Sequence, residues 1–386
     1  MYDFKSFPDR RKTESVKWGV YGADVLPMWV ADMDFVSPQP VIDALKARVE
    51  HGIFGYPMVV DDLRQVVLDR IAERYDWTIK TEDLIFVPGV VSAFNLVCQA
   101  LTGLDESVIM QTPVYPPFLA VPGNGGFAGI TIDLVQDRSG QYHIDFEAFE
   151  AAIQPNTRVF LLCNPHNPVG RVFRRDELVK LAEICLRHNL VICSDEIHSD
   201  LIYGGYRHTP IASLSEESAQ NTVTLVAPSK TFNIAGLECS VIICQNSDLR
   251  KRIEHARRGL LGGVNIMGLE AAYAAYQYGG EWLEELLGVL QNNRDLLVKF
   301  VHETMPEVKM PMPEGTYLAW LDCRGLKGIE DPYKFFLNEA KVALNDGREF
   351  GKAGEGYLRL NFGCPESMLI EALLRMKLAL DKLKQG

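Results

Sequence analysis

A chain of 386 residues is too long for one ordinary hydrophobic core, so two domains are the expectation. Hydrophobic residues make up 47% and charged residues 23%, a globular composition, and the net charge of −12 comes from 51 acidic against 39 basic residues. That balance, with no basic run anywhere, excludes nucleic acid and an anionic membrane surface as expected partners. No apolar run approaches the roughly 18–20 residues needed to span a bilayer, and the opening MYDFKSFPDRRKTES is too polar for a secretory signal. Eight cysteines stand at 98, 163, 185, 193, 239, 244, 323 and 364 without a C-x-x-C pair. They read as small core residues of a reduced protein, not as a disulfide frame or a metal site, and a cytoplasmic location is expected.

In chain order, the stretch to about residue 35 has no helical period and holds the phrase LPMWVADMDF. Trp29, Met33 and Phe35 would expose too much apolar surface as a free tail, so this stretch is expected to lie across another part of the protein. A helix is predicted at Pro40–His51, with Pro40 in its first turn, followed by a loop holding Gly52, Gly55 and Tyr56 and a second amphipathic helix at Val60–Tyr75. From residue 83 short apolar runs alternate with helical ones: Leu84–Val87, helix 92–102, Ser107–Met110, Thr131–Leu134, helix 146–153 and Arg158–Leu162. Helix 176–188, Leu190–Cys193, Thr222–Val226 and Ser240–Cys244 continue the pattern. Apolar strands without alternation, separated by helices, predict a mostly parallel sheet covered on both faces, with its site at the carboxyl ends of the strands. A long helix at 280–304, strands at Tyr317–Leu321 and Tyr357–Leu360, and helices near 331–341 and 366–384 predict a smaller α+β domain at the end of the chain.

The residues at the strand ends form a short set. Lys230 follows the buried run Thr222–Val226 in APSKTFNIAGL, where desolvation would lower its pKa toward that of a Schiff-base lysine. A surface lysine after a strand is the bland alternative, and the better one for Ser-Lys-Thr alone. Gly89 in PGVVSAF feeds a helix beginning near Ser92, a turn that offers free N–H groups to a phosphate, although a plain strand-to-helix turn would look the same. Tyr115 in TPVYPPF could stack on a ligand ring or merely pack. In CNPHNPVGR, Asn164 or Asn167 could bind a ligand or cap a turn. Asp195 in SDEIHSDLIY directly follows an apolar strand, where an ionised carboxylate needs a cation. No lysine or arginine lies near it in sequence, so a ligand cation or a distant salt bridge is expected.

Taken together, Asn-Pro-Val-Gly at 167–170, Asp195 some twenty-eight positions after Asn167, and Ser-Lys at 229–230 resemble the fold-type I pyridoxal-phosphate enzymes. MWVADMDF at 28–35, TPVYPPF, SDEIHSDL, APSKTFNIAGL and LRLNFGCP at 358–365 resemble, more narrowly, the MalY/PatB class of cystathionine β-lyases, which includes cystalysin-like C–S lyases. The resemblance runs from about residue 26 to 365. It implies an α/β fold: a large cofactor-binding domain (46–284) with a mostly parallel seven-stranded sheet, an N-terminal arm or part of the small domain (1–45), and a small α+β C-terminal domain (285–386). It also implies pyridoxal 5'-phosphate as cofactor, with Lys230 as the covalent anchor and base, Asp195 on the pyridine nitrogen, Asn167 on O3′ and Tyr115 on the ring face. The phosphate would be held by the N–H groups of Val90 and Val91 and by the Ser229 hydroxyl, with Tyr56 reaching it from the other subunit of a homodimer. Arg359 would grip the substrate α-carboxylate, a bidentate task a lysine does worse.

The chain departs from related patterns at three places. Pro116 stands where cystalysin-like enzymes have a second tyrosine, which leaves the handling of the leaving group open. Glu238 stands where many aminotransferases of the fold have a phosphate-binding arginine, which weakens the transaminase reading. His198 stands where those enzymes have a tyrosine near O3′, and its role is open. The expected reaction is β-elimination of a thiol from a cystathionine- or cysteine-type amino acid, leaving pyruvate and ammonia. An aminotransferase is the alternative, since both reactions begin with loss of the Cα proton. A cofactor-binding regulatory domain is disfavoured by the acidic charge, and a nucleotide-binding dehydrogenase by GNGGFAG at 123–129, which neither follows a clear strand nor opens a helix.

Overall fold

The computed structural model describes residues 2–385. Its centre is a seven-stranded sheet of β1 (Leu84–Val87), β2 (Ser107–Thr112), β3 (Ala128–Asp133), β4 (Thr157–Cys163), β5 (Val191–Asp195), β6 (Thr222–Val226) and β7 (Ser240–Ile243). The strand order is β1-β7-β6-β5-β4-β2-β3, and only β7 runs antiparallel to its neighbours. Strands β1, β2, β6 and β7 are buried at every residue, as the unbroken apolar runs predict for a sheet covered on both faces. Edge strand β3 alternates between half-buried and exposed residues.

Register sets the site. Cys163 pairs with Asp195 and Asp195 with Leu225, so β4, β5 and β6 end side by side and deliver their following turns to one edge. The helices around the sheet include α1 (Gln39–His51), α2 (Asp61–Tyr75), α3 (Val90–Leu101), α4 (Pro116–Gly125) and α5 (Arg175–Arg187). Helix α3 starts two residues before the predicted Ser92, which makes Val90 and Val91 its first two residues. Helix α4 has no counterpart among the predicted elements; Pro116 and Pro117 occupy its first two positions, where a missing N–H costs nothing. Two further unpredicted helices, Ser247–Arg257 and Ile266–Tyr278, precede the expected α6 (Gly280–Thr304).

Beyond α6 a three-stranded antiparallel sheet has the order β8 (Leu318–Asp322), β10 (Tyr357–Asn361), β9 (Asn345–Asp346), and α7 (Glu366–Gln385) follows it. The helix expected near 331–341 is a four-residue turn, Pro332–Phe335, running into a π-helical turn at Phe336–Ala340. The N-terminal arm is not a free tail. Leu26 and Pro27 pair in parallel with Val342 and Ala343, and Met28, Met33 and Phe35 sit in one core cluster with α6, β8, β10 and α7. Each such side chain contributes on the order of 1.5–3 kcal/mol by burial, which ties the arm down against chain entropy.

Candidate active site

Strand β6 ends at Val226, and Ala227 and Pro228 turn the chain into the short helix Pro228–Thr231, whose third residue is Lys230. Thr231 Oγ1 donates to Asp200 Oδ2 at 2.9 Å, and Asp200 is itself held by Arg70 at 2.7 Å and Arg74 at 2.9 Å. The lysine-bearing turn is thereby anchored from behind. Lys230 is half-buried, and its Nζ donates to the carbonyl of Ala31 at 2.7 Å. Burial lowers its pKa to about 8; Arg359 acts in the same direction, and Asp32 and Asp195 oppose it.

Asp195, the last residue of β5, is 4% exposed and has no salt bridge among the described residues. Its Oδ1 accepts one hydrogen bond, from Ile197 N–H at 3.1 Å. Burial pushes its pKa up to about 7, with Glu196 adding to the rise and Ile197 N–H and Lys230 opposing it. Among the described residues, none supplies the paired cation expected from the sequence. The neighbouring Glu196 is satisfied, by Ser194 Oγ at 2.8 Å and by His208 Nε2 at 2.7 Å.

The turn after β4 carries Asn167, whose Oδ1 accepts from Arg359 Nη1 at 3.0 Å. Asn164 takes a structural part instead: its Oδ1 accepts from Phe173 N–H at 3.0 Å. Gly170, at φ +74, lies so close to Pro313 that a Cβ would meet it at 3.1 Å, so this turn abuts the segment leading into β8. Arg359, in the middle of β10, is buried and has no salt bridge among the described residues. Its Nη2 donates to Trp29 O at 3.1 Å and Asn345 Oδ1 at 2.6 Å, its guanidinium lies 4.9 Å over the Phe350 ring, and its Nε has no partner. Burial lowers its pKa to about 10. The guanidinium is thus lined with neutral acceptors and left without an anion.

Tyr115 is the N-cap of α4 and half-buried, and burial raises its phenol pKa. Helix α3 opens at Gly89, whose φ of +78 suits glycine and whose missing side chain leaves open space. No side chain caps this terminus, so the N–H groups of Val90 and Val91 have no partner within the helix. Ser229 is half-buried beside Lys230. Tyr56 stands apart from Lys230, Asp195, Asn167 and Arg359: it is fully exposed, at 107%, in the loop between α1 and α2.

Sequence reasoning left His198 open and did not find Tyr317, Asn345 or the backbone of residues 29–35. His198 is buried with Nδ1 unpaired and stacks edge-on against Tyr317 at 5.9 Å; burial, then Lys230 and Arg359, hold its pKa down at about 3, so the ring is neutral. Tyr317 OH donates to the same Ala31 carbonyl as Lys230, at 2.8 Å. Carbonyl acceptors have no sequence signature; only the apolar phrase LPMWVADMDF pointed to that segment.

Orphaned polar groups are the test of whether these residues suit pyridoxal phosphate. A buried carboxylate without a cation, a lysine of lowered pKa, an uncapped helix N-terminus facing open space, an aromatic ring and a guanidinium without an anion match the separate parts of that cofactor and of an amino acid. The donor set fits.

Comparison with known proteins agrees. Residues 23–376 match the family described as aminotransferase class I and II. The chain is 42% identical to cystathionine β-lyase PatB of Bacillus subtilis (strain 168), over 98% of this chain and all of that protein. Among solved structures, cystalysin from Treponema denticola, which contains a pyridoxal 5'-phosphate cofactor, superposes with a TM-score of 0.95 at 36% identity, covering 99% of this chain and 100% of that one. A PLP-bound candidate aminotransferase from Clostridium difficile 630 gives a TM-score of 0.95 at 43% identity, covering 98% of this chain and 100% of that one.

Proposed function

Since the chain belongs to the class I and II aminotransferase family, and within it to the MalY/PatB-type cystathionine β-lyases, we propose that it is a pyridoxal-phosphate-dependent C–S β-lyase. It cleaves cystathionine- or cysteine-type amino acids, with uptake of one water, to a thiol, pyruvate and ammonia. The observation that carries this reading is Asp195, a buried carboxylate without a salt bridge among the described residues, within electrostatic reach of a lysine whose pKa burial lowers to about 8.

Lys230 would anchor the cofactor covalently, with Asp195 facing its pyridine nitrogen, Asn167 its phenolic oxygen and Tyr115 its ring face. Val90 and Val91 N–H, the Ser229 hydroxyl and the partner subunit's Tyr56 would hold the phosphate. The cofactor supplies an electron sink for negative charge developing at the substrate Cα. Arg359 binds the α-carboxylate, exchanging neutral acceptors for a charge-assisted pair. Lys230, neutral for a large share of the time near pH 8, removes the Cα proton as a general base. The Ala31 carbonyl accepts a hydrogen bond from the ammonium so formed, which keeps its proton within the cleft for the departing sulfur. Neutral His198 takes no proton in this scheme.

A homodimer is supported by Ile53, Phe54, Tyr56 and Met58, large apolar side chains exposed in one loop of the single chain. Free, buried cysteines support a cytoplasmic location. The division at 45/46 and 284/285 is part of the proposal; the second boundary lies in the first turns of α6. Incubation of the purified protein with cystathionine and with cysteine tests the reading, by pyruvate and free thiol release. The aminotransferase reading rests on the same residues and on the likeness to the Clostridium structure. Product that depends on an added keto acid, without thiol release, would favour it.

A further inference from the structure

Outside the groups used above, one buried ion cluster lies in the N-terminal arm. Lys17 and Asp34 are each 1% exposed, with Lys17 Nζ 2.6 Å from Asp34 Oδ2. Arg10 Nη1 and Trp18 Nε1 both donate to Asp34 Oδ1 at 2.8 Å. Arg10 Nη2 also pairs with Asp32 Oδ2 at 2.6 Å, and Lys17 Nζ reaches the Asp32 carbonyl at 3.2 Å. Desolvation makes a buried ion cluster a weak source of net stability, so its geometry has to be explained by what it holds.

It holds the strap of residues 29–35, which is where the site's side chains are tied. Arg359 donates to Trp29 O, and Asn361, two residues on, donates to Val30 O and to Asp32 O. Lys230 and Tyr317 both donate to Ala31 O. Asn233, three residues after Lys230, accepts from Met33 N–H at 2.9 Å and donates to the carbonyls of Met33 at 2.9 Å and Phe35 at 2.8 Å. Gly363 permits this approach, since a Cβ there would come within 2.8 Å of Met33 Cγ. One strap thus touches the turn that carries the lysine and the strand that carries the arginine. Its far end is fixed by Lys17, Arg10 and Asp34, which touch neither, while Asp32 acts on Lys230 only through its charge.

We infer that Asp34, with Lys17 and Arg10, is a positioning residue for the Lys230 amine: the ion cluster fixes the strap's backbone, and the strap's Ala31 carbonyl fixes the amine. The inference rests on the role of Lys230 proposed above, but its test needs no cofactor. In the full chain freed of small molecules, trace acetylation of Lys230 at pH 7.5 would be read by mass spectrometry against the exposed Lys251, with hydrogen exchange followed over residues 29–35. Lys17→Met combined with Asp34→Asn removes the central pair without leaving either charge alone. Strap amides should then exchange about tenfold faster or more, and Lys230, released from its acceptor, should acetylate about threefold faster or more relative to Lys251. Lys17→Arg, which keeps the charge, should stay near the wild type in both readings. Should the double variant fail to fold, Trp18→Phe removes one donor to Asp34 and no charge, and should move both readings in the same direction by about twofold. An unchanged Lys230-to-Lys251 ratio in the folded variants, whether or not the strap loosens, overturns the inference. Failure of borohydride to fix any cofactor to the wild type would instead sink the proposed function and leave this measurement standing.

Discussion

Asp195→Asn separates the cost of the site from its use. In the cofactor-free chain the carboxyl is buried with one N–H donor, and its pKa rises from an ordinary 3.8 to about 7. The sign follows from proton linkage. A carboxyl with a raised folded-state pKa binds its proton more tightly when folded, so its stabilising effect is full below pH 3.8 and is lost as the pH climbs through 7. The difference between 7 and 3.8, about three pH units, corresponds to roughly 4 kcal/mol at pH 8, an upper figure because water reaching the open cleft would reduce it. Asparagine resembles the protonated side chain and carries no such penalty. Urea unfolding of the cofactor-free protein at pH 5, 6.5 and 8 should therefore show the variant more stable than wild type by about 2–4 kcal/mol at pH 8, with the advantage shrinking toward pH 5. Turnover should fall steeply, since in its proposed role the same charge would hold a ring nitrogen protonated. No stabilisation at pH 8, or an advantage that does not depend on pH, would refute the argument that this carboxylate waits for a cation.

The other expectations are brief. Lys230→Ala should abolish fixation of cofactor to the chain by borohydride, read by mass spectrometry; retained fixation would identify another lysine as the anchor. The lowered pKa of Lys230 means stability present above about pH 10.5 and lost as the pH falls toward 8, so Lys230→Met should flatten the unfolding curve of the cofactor-free chain across that window. Arg359→Ala removes a charge-assisted pair of roughly 1.5–3 kcal/mol and should weaken amino-acid binding about tenfold or more, with Arg359→Lys recovering little. Amines without a carboxylate should bind as before, and an equal loss for both ligand classes would make Arg359 structural. All eight cysteines are free and buried, so native protein should show no fast reaction with a thiol reagent at pH 8, whereas urea should expose all eight; a rapidly reacting thiol in the native state would contradict the packing.

The fold was legible where one signal was enough. Strands Leu84–Val87 and Thr222–Val226 appear with the predicted bounds, because an unbroken apolar run has few other places to go. Helix Pro116–Gly125 was hidden by its prolines, whose meaning depends on whether they begin a helix or interrupt one. The same ambiguity bears on chemistry. A tyrosine at position 116 would start this helix with a side chain beside Tyr115, whereas the proline contributes a rigid ring and no hydroxyl. The site was legible where a side chain at a strand end carried an obvious need, as Asp195 and Lys230 did. Ala31 carried none, because its part is played by a carbonyl, and Tyr317 was read only as the first residue of a strand.

The two strongest signals in the site work against each other until something binds. Asp195 resists ionising and Lys230 resists protonation, each mainly because of burial, and they only weakly relieve one another. A direct ion pair would have settled both and left no vacancy for chemistry. The chain instead gives the lysine a neutral carbonyl and the carboxylate a single N–H. Arg359 follows the same rule, with neutral acceptors on a guanidinium that has no anion. Three ionisable groups without an ionic partner among the described residues suit a ligand carrying a cation, an aldehyde and a carboxylate among its parts. They account for loss of the Cα proton and are silent on what leaves Cβ. On the proposed reading that choice falls to neutral groups such as Tyr115 and Pro116, so changes there should redirect the products while the first step, proposed for Lys230, Asp195 and Arg359, is kept.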